Sequence, residues 1–95
     1  MTDKNGREMK TGDDVVITGA FFKNDNGLYR IIHSPGDGNW LGKDCYLRKL
    51  NKDRTESKSK YNITFWPLMA FTNNHSKNME ARKHNAEHAQ IEVVA

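Results

Sequence analysis

The chain has 95 residues, 36% of them hydrophobic, and a formal net charge of +3, with an isoelectric point near 9.1 and a mean hydropathy of −0.88. That length fits one domain with a small core and excludes two ordinary ones. One cysteine, Cys45, excludes an internal disulfide; with no apolar leader in residues 1–7 and no run near the roughly 20 apolar residues of a membrane helix, the expected setting is the reducing cytoplasm.

Residues 1–11 are polar and read as a loose tail, with Met9 able to join the first strand. Gly12-Asp13 reads as a turn, and Val15-Val16-Ile17-Thr18-Gly19 is short and β-branched, which favours a strand. Phe21 and Phe22 lead into Lys23-Asn24-Asp25-Asn26-Gly27, a turn cluster whose residues tolerate positive φ. Leu28–His33 returns as the second strand of a hairpin. A Pro-Gly-Asp-Gly-Asn loop (Pro35–Asn39) and a short pairing segment at Trp40–Gly42 precede a third strand, Asp44–Leu50. Alternation there places Cys45, Leu47 and Lys49 on one face and Tyr46 and Arg48 on the other. Asn51–Lys60 is a charged loop. Tyr61–Phe65 is a fourth strand that Pro67 bends, because proline cannot donate a ladder hydrogen bond.

The period then changes. A helix is predicted over about 74–90, with Met79, Ala86 and Ala89 at helical spacing, caps available from Thr72, Asn73, Asn74 and Ser76, and a small inward face of Ala81, Ala86 and Ala89. A last strand spans 91–94. The reading is one domain over 1–95, mainly β with one α-helix (α+β), in the order β-β-β-β-α-β.

Chemistry-bearing residues concentrate late in the chain. From Lys43 to Lys60, seven basic residues face three acidic ones. Arg48, Lys49, Lys52, Arg54, Lys58 and Lys60 suit phosphates, whose counterions are released on binding. Trp40, Tyr46 and Trp66 are candidates for stacking on bases. Equally, such a loop is a solvated turn that keeps a small protein soluble, and the aromatics are needed for packing. The helix start, with Lys77 and Arg82, presents free N–H donors to an anion, or is simply capped. His84-Asn85-Ala86-Glu87-His88 matches the H-x-x-E-H pattern of inverted zinc peptidases, with His84 and His88 on one helical face. Surface histidines on a polar helix explain it as well. Phe21, Phe65, Phe71 and Cys45 are expected in the core.

Gly12-Asp13-Asp14-Val15-Val16-Ile17-Thr18-Gly19-Ala20-Phe21-Phe22 through Gly27-Leu28-Tyr29-Arg30-Ile31 resembles the KOW motif of SH3-like barrels. Gly19 and Gly27 match its turn positions and Phe21 or Phe22 its aromatic; Tyr29 and the C-terminal helix depart from it. The resemblance implies a small SH3-like barrel and a binding module of nucleic acid or protein. Trp40, the Phe65-Trp66-Pro67-Leu68 run and the final helix resemble small uncharacterised prophage and mobile-element proteins.

The expected function is a non-enzymatic binding module for a phosphate-bearing partner, nucleic acid or nucleoprotein, with no cofactor and no membrane. The alternative is an anti-defence protein. It would be a sponge that sequesters a nucleotide signal through the polar loops at Asn24–Asn26, Asn39 and Asn73–Asn78, or an inhibitor that docks on a host protein, as anti-CRISPR proteins do. A zinc hydrolase through His84, Glu87 and His88 is the enzymatic exception.

Overall fold

The structure, a computed structural model, describes residues 2–34, 45–58, 62–65 and 79–94. Its elements are β1 (Asp14–Thr18), a 3₁₀ turn (Lys23–Asp25), β2 (Gly27–His33), β3 (Cys45–Lys49), β4 (Asn62–Phe65), α1 (Met79–His88) and β5 (Gln90–Val93). The protein is therefore mainly β with one helix. The strands form an antiparallel sheet ordered β4-β3-β2-β1-β5. Among the described residues no ladder joins β4 to β5, so the sheet is open between those edges.

Period-2 alternation creates the core. Val15 and Ile17 of β1, Tyr29 and Ile31 of β2, Cys45 and Leu47 of β3 and Ile91 of β5 are buried together with Met9 and Ala89. Each large apolar side chain so buried contributes roughly 1.5–3 kcal/mol, a large share of the about 5–15 kcal/mol that holds a domain folded. Phe21 is not in this cluster. It is half-buried and packs edge-on against Phe22 (5.0 Å between centroids) and His84 (5.5 Å), because its backbone has already left β1. Phe71 lies outside the described residues, as does the side chain of Phe65.

Residues 2–9 are bound to the sheet and are not a loose tail. Thr2 and Glu8 bridge, and the Lys4 N–H donates to the Ile91 carbonyl at 2.9 Å. The Asp3 carboxylate accepts from the N–H groups of Asn5 (2.9 Å), Arg7 (2.8 Å) and Val93 (2.8 Å). This small hairpin covers the free edge of β5, which would otherwise present unpaired backbone groups. Burial raises the Asp3 pKa, but the N–H donors of Val93, Arg7 and Asn5, helped by Arg7's charge, outweigh it and hold the carboxyl below its ordinary value.

The inward face of α1 also differs from expectation. Ala81 and Asn85 are buried, in line with Ala89, whereas Ala86 is exposed and Met79 is 70% exposed. The polar Asn85 is inside because its Oδ1 accepts the Phe21 N–H at 2.9 Å; a buried backbone donor needs such a partner. Gly19 permits this packing. It sits at φ +75, and a Cβ there would lie 2.4 Å from the His88 carbonyl oxygen.

Candidate nucleic-acid interface

The face of the sheet opposite the core is where Tyr46, Arg48 and Arg54 meet. Strand register sets Asp14 of β1 against Arg30 of β2, and Arg30 against Arg48 of β3. Between Ile31 and His33 the register of β2 slips, placing His33 opposite Tyr46. The slip turns the histidine to Tyr46's side: the two rings lie 6.4 Å apart at 35°. Tyr46 and Arg48 are two positions apart on β3 and so share a face.

The β3–β4 loop folds back over this face. It is closed by the Leu50–Glu56 bridge, by Asn51 N–H donating to Thr55 O (2.8 Å) and by Arg54 N–H donating to Asn51 O (2.9 Å). Thr55 donates through its hydroxyl and N–H to Asp53, and the hydroxyl contact, ahead of the N–H, lowers the Asp53 pKa. Arg54 takes the left-handed conformation at φ 69, uncommon for a side-chain-bearing residue. Its carbonyl accepts from Arg30 Nη2 at 3.3 Å.

Among the described residues, three guanidinium groups gather around the Asp14 and Glu56 carboxylates. Arg30 binds Asp14 through Nε at 2.8 Å and Nη2 at 3.3 Å, and this contact, with Asp14's charge, raises its pKa further. Arg54 reaches the same carboxylate at 3.9 Å. Arg48 pairs with Glu56 at 3.2 Å. Lys52 and Lys58 are exposed in the same loop. Arg30 was not legible as a candidate because it stands inside a β-branched strand, 18 positions before its cross-strand neighbour Arg48.

Lys49 is placed differently. Its Nζ donates to the backbone carbonyls of Asn24 (3.1 Å) and Asn26 and lies 4.8 Å from the Tyr29 ring centroid. Burial lowers its pKa, against the opposing charge of Asp25. It ties β3 to the 3₁₀ turn and faces away from Tyr46 and Arg48. Arg82 lies on α1, with Nη1 4.0 Å from Met79 Sδ.

On α1, the His84 and His88 rings are 4.8 Å apart. His84 Nε2 is 3.1 Å from the Gly19 carbonyl oxygen, and His88 Nε2 is 3.7 Å from Glu87. Among the described residues no three His, Cys, Asp or Glu side chains come together to hold a metal ion. Cys45 is buried and is not in a disulfide. Lys60, Lys77, Trp40, Trp66, Asn39 and Asn73–Asn78 lie outside the described residues. No helix among the described residues is long and apolar enough to cross a membrane. Compared with known proteins, the chain matches no protein family, no curated protein and no solved structure.

Proposed function

We propose that the protein is a non-enzymatic binding module for a phosphate-bearing partner, nucleic acid in particular, which it engages through the sheet face bearing Tyr46, Arg48, Arg30 and Arg54. The observation that carries this is the grouping, among the described residues, of Arg30, Arg48 and Arg54 on one face beside the ring pair of Tyr46 and His33. A guanidinium fork matches a phosphate bidentately. Tyr46 and His33 offer ring surfaces on which unstacked bases can pack, worth about 1–3 kcal/mol per base. Lys52 and Lys58 extend the positive field along the loop.

The fold we propose is a partly open SH3-like barrel. Its support is the pairing of the last strand with the first, the register slip in β2 and the helix placed immediately before the last strand.

Fluorescence anisotropy with labelled single- and double-stranded oligonucleotides at about 50 and about 200 mM salt tests the function. Expected is salt-weakened binding, reduced tenfold or more (about 1.4 kcal/mol) by Tyr46→Ala and by a Lys52→Glu/Lys58→Glu double variant. Absence of binding at the lower salt to every DNA and RNA form would remove the reading.

A further inference from the structure

A second site lies at the end of the sheet where the β1–β2 and β3–β4 connections emerge side by side. Between them is a cleft of about 440 Å³, walled by Lys23, Asn24 and Asn26 on one side and Lys49, Asn51 and Ser57 on the other, with Leu50 between. That volume falls within the range of about 300–1,000 Å³ typical of small-molecule sites. None of the lining side chains is acidic, and two are lysines.

The hydrogen bonds already made decide what the walls have left to offer. Asn26 accepts the Ala20 N–H with Oδ1 at 2.9 Å, which leaves its Nδ2 as a donor. Asn51 donates through Nδ2 to Thr55 Oγ1 at 3.0 Å and to the Glu56 carbonyl at 3.3 Å, which leaves its Oδ1 as an acceptor. Lys23 is exposed, and its ammonium is bound by nothing among the described residues. Lys49 is fixed: two carbonyls and the Tyr29 ring hold its ammonium against the wall, and Gly27 leaves the room for it, since a Cβ there would lie 2.7 Å from Nζ. A cleft with one anchored cation, one exposed cation, an amide donor and an amide acceptor matches a ligand that is anionic at one end and carries a hydrogen-bonding ring at the other.

We propose that this cleft binds a small phosphate monoester of nucleotide size, with Lys23 and Lys49 on the phosphate and Asn26 and Asn51 on the organic part. The site is separate from the sheet face and does not rest on the nucleic-acid reading.

The test is thermal unfolding with adenosine 5′-monophosphate, uridine 5′-monophosphate, inorganic phosphate or adenosine. The expected result is a rise in Tm of about 6–11 °C with at least one monophosphate at tenfold its Kd, a smaller rise with inorganic phosphate, and none with adenosine. Lys23→Ala, an exposed change that leaves the fold alone, should remove most of the rise, while Tyr46→Ala leaves it intact. Conversely, Lys23→Ala should leave oligonucleotide binding at the sheet face unchanged, so the two sites fail independently. No rise with either monophosphate, a rise insensitive to Lys23→Ala, or equal rises with monophosphate and inorganic phosphate would each overturn the proposal.

Discussion

Asp3 at the β5 edge and Lys49 at the end of β3 are both charged side chains that bond backbone atoms of a segment distant in sequence, yet one closes its region and the other borders a cleft. The Asp3 carboxylate gathers three N–H groups on a short stem and is 6% exposed. A carboxylate has about four lone-pair sites, so most of its accepting capacity is filled and little is left to bind anything else. Lys49 spans the gap between two loops on a four-carbon stem and donates to two carbonyls. The same device, a charge satisfying backbone dipoles, seals an edge at Asp3 and ties two connections beside a cleft at Lys49.

The comparison makes a ranked set of expectations. Asp3→Ala should be the most damaging change, costing about 3 kcal/mol, because it strands the Val93 and Arg7 N–H groups and frees the β5 edge; urea unfolding measures it. Lys49→Met keeps the stem against Tyr29 and should cost about 1–2 kcal/mol. A larger loss for Lys49→Met than for Asp3→Ala would break the comparison.

pH sharpens it. Asp3's folded pKa is depressed, so the unfolded chain binds more protons in that window; its contribution is fully present above the ordinary aspartate value near 3.9 and is lost as pH falls through the depressed one. Lys49's folded pKa is also depressed, so stability rises again as pH climbs through that value toward the ordinary lysine value near 10.4. Denaturant melts across pH should therefore show an acidic slope that Asp3→Asn flattens and an alkaline slope that Lys49→Met flattens. The smallest effect is expected for Glu56→Gln. Its exposed pair with Arg48 holds no backbone, so stability should move by less than about 0.5 kcal/mol. Oligonucleotide affinity should nevertheless rise, because one of the two competing carboxylates is gone.

Much of the sheet was legible. The β-branched run Val15–Thr18, the turn cluster before Gly27 and the Cys45/Leu47 alternation are local signals, and the strands lie where those signals fall. Asn85 was not legible. Polar patterning assigns an asparagine to the outer face of a helix, and its reason for burial is a donor 64 positions away. Asp3 was missed for the same reason, its key partner being Val93. The basic cluster was visible as composition, but composition does not separate a lysine held by carbonyls from one left free. Lys49 and Lys52 are three positions apart in the same run, and only the three-dimensional position of Asn24 and Asn26 distinguishes them. The cleft depended on the β1–β2 and β3–β4 connections emerging at one end, which strand order determines and spacing alone does not show.

The hairpin over β5 has a kinetic consequence. Asp3 and Val93 are 90 positions apart in sequence, and β1 must also wait for β5. Contacts of such separation carry the full entropy of closing a long loop and form late. During vectorial synthesis β1, β2 and β3 can zip together as they emerge, but the edge of β1 stays open until β5 has been made. Residues 2–9 then lock a strand made about 90 positions later, and the pairing of β5 covers the open edge of β1.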